Sequence, residues 1–166
     1  MGNSDSWVDL GVDQEIADAL LVREISSPFP VQSLTIPDAL SGLDVCGKAK
    51  TGSGKTLAFG IPMIQNLKKA QTKLRGLILV PTRELATQVR EELEPLSNSK
   101  GMEIAAIYGG ANIDEQIRII KKGVDMVVAT PGRMIDLLER QEINVKELEI
   151  VVVDEADRMA DMGFLP

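Results

Sequence analysis

The stretches AKTGSGKT (49–56) and VVVDEAD (151–157) hold the residue types needed to grip a chain of phosphates and a divalent cation. In the first, Gly52 and Gly54 let the backbone turn so that successive amides point inward at an anion. The helix expected to begin near Lys55 adds its positive N-terminal end. Lys55 has the reach to meet terminal phosphates, and Thr56 offers a hydroxyl to Mg2+. The generic pattern G-x-x-x-x-G-K-[ST] wants glycine where this chain has Ala49. In the second stretch, three valines run into Asp154 and Glu155, so a buried strand delivers two carboxylates to its C-terminal end. Asp154 is placed to hold the Mg2+ that Thr56 also touches, and Glu155 to orient and deprotonate an attacking water. This is the chemistry of nucleoside triphosphate binding and hydrolysis.

Such residues need a scaffold, and two hydrophobic periods alternate along the chain to supply one. RGLILVP (75–81), VDMVVATP (124–131) and LEIVVVDEA (148–156) read as short strands buried on both faces. GMEIAAIYGG (101–110) makes another, and LDVCGKA (43–49) a shorter one leading into the phosphate loop. Between them, Leu85, Val89, Leu93 and Leu96 recur at helical spacing, as do Ile113, Ile117 and Ile120. Strand–helix alternation predicts one doubly wound α/β domain, a mostly parallel sheet with helices on both faces. Ligands of such sheets sit beyond the C-terminal strand ends, where both motifs lie.

Composition narrows the chemistry further. The 166 residues suit one domain with an aliphatic core, since 44% are hydrophobic and only 3% aromatic. Histidine is absent, which removes Ser-His-Asp catalysis and most zinc sites. The net charge of −7 argues against a broad basic surface for nucleic acid and leaves room for a narrow track of amides and a few arginines. No apolar run approaches the roughly 18–20 residues of a membrane span. The single Cys46 forbids an internal disulfide and fits a reducing, cytoplasmic setting. Residues 1–6 read as a disordered leader.

Taken with PTRELA (81–86), GG (109–110), TPGR (130–133) and DEAD (154–157), the loop AKTGSGKT resembles the DEAD-box ATP-dependent RNA helicases, whose own loop is A-x-T-G-S-G-K-T. The motifs follow in the family's order, and the resemblance runs from about Trp7 onward. It implies a RecA-like P-loop NTPase domain over 34–166, preceded by a Q-motif region over 7–33. By this resemblance, ATP is bound by Gln32, Pro28, Ala49, Thr51, Gly52, Ser53, Gly54, Lys55 and Thr56, with Gln32 reading the adenine edge and Trp7 supporting its loop. Mg2+ falls to Thr56 and Asp154, partly through water, and catalysis to Lys55, Asp154 and Glu155. Pro81, Thr82, Arg83, Gly110, Thr130, Gly132 and Arg133 hold the sugar–phosphate backbone of single-stranded RNA without reading bases.

Two departures matter. The family's Gly-Phe pair, seven residues before the glutamine, is Glu24-Ile25 here, so the expected adenine-stacking ring is missing. The Ser-Ala-Thr motif and the second RecA-like domain, with its arginine finger, are not among these residues. The resemblance therefore implies that the longer protein unwinds short RNA duplexes, while residues 1–166 alone show at most trace ATP hydrolysis. Two other readings stay open at this point. A different P-loop NTPase or small kinase would leave PTRELA and TPGR unexplained, and a non-catalytic nucleotide- or RNA-binding module would bind without turnover.

Overall fold

The computed structural model of the chain describes residues 5–50, 52–68, 71 and 73–163. Four short strands form one sheet among these residues: β1 (Gly76–Leu79), β2 (Ile104–Ile107), β3 (Met126–Ala129) and β4 (Ile150–Val153). Their order across the sheet is β2-β3-β1-β4, and every pairing is parallel. Seven helices surround it: α1 (Gln14–Val22), α2 (Pro30–Leu40), α3 (Lys55–Leu67), α4 (Arg83–Ser99), α5 (Ile113–Lys122), α6 (Pro131–Glu139) and α7 (Ala156–Asp161).

Handedness assigns the helices to faces. The crossover from β1 to β2 steps over β3 in one direction, while those from β2 to β3 and from β3 to β4 step back the other way. Right-handed connections then place α4 on one face and α5 and α6 on the opposite one. The strand period of two sorts side chains accordingly. Ile78, Met126 and Val128 point into a core shared with α1, α2, α3 and α4, and Leu77, Val127 and Ala129 point into a second core under α5 and α6. The helical stripes seen in the sequence serve these cores: Val89, Leu93 and Leu96 join the first, and Ile113, Ile117 and Ile120 flank the second.

At the lower, N-terminal ends of the strands lies a buried ion pair that sequence reading did not foresee. Arg75 Nη2 meets Asp125 Oδ1 at 3.1 Å, with the side chains 2% and 1% exposed. The Arg75 Nη1 group donates to the Leu67 carbonyl at 2.7 Å, and Asp125 accepts from the amides of Gln71 and Glu103 at 2.8 and 3.0 Å. Each charge is thus hydrogen-bonded as well as paired, the condition under which burial is tolerated.

Two strand expectations need correction. The segment 43–49 forms no strand; Leu43 and Val45 are 60% and 45% exposed, and no described strand runs beside it. A strand exists by its ladder, and two apolar side chains without a partner do not repay the entropy of ordering. The strand β4 is also not buried on both faces. Ile150 and Val152 pack on the first core, whereas Val151 and Val153 are 54% and 44% exposed because no described helix covers β4 on that side.

Candidate functional site

The phosphate loop enters α3 through two glycines whose backbone disfavours a side chain. Gly52 and Gly54 have φ of 81° and 82°, the left-handed region open to glycine. Gly54 also has no room for a side chain, since a Cβ there would lie 2.3 Å from Gln32 Nε2 and 2.7 Å from the Phe29 ring. Gln32 is buried, and both ends of its amide are engaged: Oε1 accepts from the Phe29 amide at 2.7 Å and Nε2 donates to the Gly54 carbonyl at 2.9 Å. The glutamine therefore braces the loop before α2 against the phosphate loop. Pro28 directly precedes that brace, and Ala49 lies half-buried on the approach to the loop. Thr51 falls outside the described residues.

Across from the loop, β4 ends at Asp154, whose amide continues the ladder by donating to the Leu79 carbonyl at 2.9 Å. Lys55 Nζ stands 3.3 Å from Asp154 Oδ1, with the carboxylate 5% exposed and the ammonium 29%. Glu155 follows in the left-handed region, φ 53°, and its carboxylate accepts from Arg158 at 3.2 Å. A non-glycine residue held there is a small store of strain, of the kind that collects at working sites.

The donor set fits Mg2+. Asp154 would supply a hard oxygen ligand and Thr56, half-buried in the first turn of α3, a hydroxyl. No group of three or more acidic, cysteine or histidine residues suited to a metal occurs among the described residues. One carboxylate with one hydroxyl suits Mg2+ when phosphates and water complete its shell. The Ser53 hydroxyl oxygen is buried without a hydrogen-bond partner among the described residues, so the loop carries a polar group ready for an anionic ligand.

A second cleft, about 370 Å³, opens at the same C-terminal rim and is lined by Pro81, Arg83, Gly109, Thr130, Gly132, Arg133 and Asp136, whose carboxylate is paired with Arg140 at 2.7 Å. Motifs scattered over some fifty residues meet here because each follows a strand: Pro81 after β1, Gly109 after β2 and Thr130 after β3. Gly110 lies beside Arg83, whose guanidinium sits over the Tyr108 ring at 5.0 Å. Thr82 caps α4 by accepting from the Leu85 amide. Arg133 turns toward the protein: it donates to the Ala111 carbonyl at 3.2 and 3.3 Å and to Gln116 Oε1 at 2.9 Å. Gln116 in turn donates to the Tyr108 carbonyl at 3.0 Å, so the Gly109–Gly110 turn is held from both sides. Sequence reading missed Tyr108 and Gln116. Tyr108, the chain's one tyrosine, sits directly before the paired glycines and was visible as such; nothing local marks Gln116.

Before α2, the indole of buried Trp7 donates to the Ile25 carbonyl at 3.0 Å. Glu24 takes a left-handed φ of 61°, and Ile25 packs half-buried against the first core. Phe29, 55% exposed, is the aromatic ring at the phosphate loop instead.

Residues 29–166 match the family model described as DEAD/DEAH box helicase. The DEAD-box ATP-dependent RNA helicase CshA of Streptococcus pneumoniae is 46% identical over 136 residues, 82% of this chain and 26% of that protein. Human DDX46, a probable ATP-dependent RNA helicase, is 42% identical over 97% of this chain and 16% of its own length. Among solved structures, the RNA helicase Prp28 of Chaetomium thermophilum bound to ADP superposes with a TM-score of 0.88 at 36% identity, covering 99% of this chain and 42% of the other. A DEAD box protein of Methanococcus jannaschii superposes at 0.90 with 38% identity, over 96% and 44%. The chain thus spans less than half the length of the relatives it matches, and its sheet is the RecA-like one they share. On motifs, fold and family match together, the chain belongs to the DEAD/DEAH box helicase family.

Proposed function

We propose that this chain is the ATP-binding half of an ATP-dependent RNA helicase. In this reading residues 7–33 form the nucleotide-sensing region, 34–166 the first RecA-like domain, and a second such domain of the longer protein is its partner. The observation that carries the reading is the Lys55–Asp154 approach of 3.3 Å across the phosphate loop, which sets a phosphate-binding cation beside a metal-binding carboxylate.

ATP would enter along the α3 N-terminus, its phosphates taking amides of Gly52 to Thr56 and the Lys55 ammonium in place of Asp154. Asp154 and Thr56 would hold Mg2+, which supplies charge neutralisation at the terminal phosphates. Glu155 orients and deprotonates the attacking water, and its pairing with the exposed Arg158 is weak enough to release it. The cleft of Pro81, Arg83, Thr130 and Gly132, with Gly110 beside Arg83, would grip a single RNA strand by its phosphates, and Arg133 shapes that cleft from behind. A cytoplasmic setting fits the one cysteine, Cys46, which is free.

Calorimetry tests the reading. The chain should bind ADP and ATP, and Lys55→Ala should reduce binding below detection, because it removes the charge facing the phosphates and leaves the loop backbone intact. An unchanged dissociation constant in Lys55→Ala refutes the phosphate-loop assignment. Rapid RNA-independent turnover would favour a different NTPase.

A further inference from the structure

The one fully buried residue of α5 is a glutamine. Ile113, Ile117 and Ile120 lie half-buried over the second core, whereas Gln116 between them is 5% exposed. A buried amide is costly unless it is hydrogen-bonded, and here both ends are engaged. Its Nε2 donates to the Tyr108 carbonyl at 3.0 Å, and its Oε1 accepts from Arg133 Nη1 at 2.9 Å. The two partners belong to different loops: Tyr108 precedes the Gly109–Gly110 turn after β2, and Arg133 lies in the first turn of α6 after β3. Arg133 also holds the Ala111 carbonyl, just past that turn. A third loop joins through Tyr108, whose ring carries the Arg83 guanidinium at 5.0 Å. One side chain beneath the cleft thus ties together the loops that follow β1, β2 and β3.

The turn so held is suited to an anion. Among the described residues no hydrogen bond uses the amide of Gly109 or of Gly110, and Gly110 has a φ of 82°. Successive amides left free by such a turn form a concave anion site. Paired glycines have the widest conformational choice of any dipeptide, so the site exists only while something outside it fixes the backbone. We infer that Gln116 is a positioning residue for the RNA cleft: it touches no ligand, pins the Gly109–Gly110 turn against Arg133 and Tyr108, and so sets the spacing between the turn's amides and Arg83. The inference rests on the proposed reading of this cleft as the track for a single RNA strand. It adds a residue from α5 that PTRELA, GG and TPGR do not contain.

The test uses the whole chain and a fluorescein-labelled single-stranded oligouridylate, with binding followed by anisotropy over a series of KCl concentrations. Gln116→Leu loses both hydrogen bonds at similar volume. Its RNA dissociation constant should rise at least about tenfold, the size of one lost hydrogen bond to a charged group. The slope of log affinity against log salt should become shallower by about 0.7, the share of one phosphate contact on a single strand. A glutamine that only supports the fold would lower the thermal melt and leave that slope alone. ADP affinity, measured by calorimetry, should stay within about twofold of the parent. Gln116→Glu keeps an acceptor for Arg133 but cannot donate to Tyr108, and should fall between parent and Gln116→Leu. In an Arg83→Ala background, Gln116→Leu should lose much of its effect. An unchanged or steeper salt slope in Gln116→Leu overturns the inference while leaving the cleft reading intact. Should Gln116→Leu fail to fold, Gln116→Glu decides: a shallower slope at an unchanged melt supports positioning, and a parent-like slope opposes it. A parent chain that binds ADP and no oligouridylate removes the cleft reading and this inference with it.

Discussion

Gln32 Nε2 donates to the Gly54 carbonyl at 2.9 Å, and a Cβ on Gly54 would fall 2.3 Å from that same nitrogen. The brace and the absence of a side chain are thus one arrangement, formed by two residues far apart in the chain. Gly54→Ala must either expel Gln32 or distort a loop already at φ 82°, where a non-glycine residue costs about 1–2 kcal/mol. We expect ADP affinity to fall at least tenfold in Gly54→Ala, measured by calorimetry. Parent-like affinity would show that the brace is dispensable.

We predict that an adenine contact falls to Phe29 and not to the Ile25 position that the family pattern suggests. Ile25 is packed into the first core with its carbonyl on Trp7, while Phe29 stands half-exposed against the phosphate loop. Phe29→Ala should weaken ADP by about 0.5–1.5 kcal/mol, the value of a ring contact beyond its area. Ile25→Phe should overpack the core and lower the melting temperature without tightening ADP. If Ile25→Phe tightens binding and Phe29→Ala does not weaken it, the assignment of the two residues is reversed.

Asp125 links three stretches of chain beneath the sheet, through Arg75, Gln71 and Glu103. Asp125→Ala removes the carboxylate paired with the buried Arg75, and breaking one side of such a pair costs about 3–5 kcal/mol in comparable cases. Urea denaturation should register that loss. Because the pair lies at the strand ends remote from the nucleotide site, ADP affinity per folded molecule should stay the same.

Much of this was legible in the sequence, and the division has a physical cause. The strands β1, β3 and β4, the stripes of α4 and α5, and the gathering of TPGR with PTRELA follow from local period and from the rule that ligands collect at C-terminal strand ends. What escaped was long-range. Arg75 and Asp125 are fifty residues apart and neither carries a local mark of its partner. The left-handed backbone at Glu24 is invisible without coordinates. The segment 43–49 reads as a strand by composition and fails as one because strand formation depends on a neighbour, which composition does not describe.

Glu92, half-buried on α4, should leave a signature in stability. Its carboxyl is raised chiefly by burial, so the folded state holds that proton more tightly than the unfolded chain does. Stability from this group is therefore greatest below the ordinary glutamate range and declines as pH rises through the raised folded value. Glu92→Gln removes the titration. Its melting temperature relative to the parent should increase across that window and level off above it. A difference that stays flat with pH would mean that burial does not tax this carboxylate.

The bare flank of β4 bears on how the molecule opens. Interior strands β1 and β3 are laddered on both sides and covered on both faces, whereas β4 is laddered only to β1 and leaves Val151 and Val153 to water. Local opening follows such differences in cover, so amide exchange at Val152 should outpace that at Ile78 and Val128 by orders of magnitude. The strand that lets go first is the one that ends in Asp154. The carboxylate proposed to capture the metal is mounted on the least covered part of the sheet, and whatever comes to lie against that flank sets how firmly Asp154 is held.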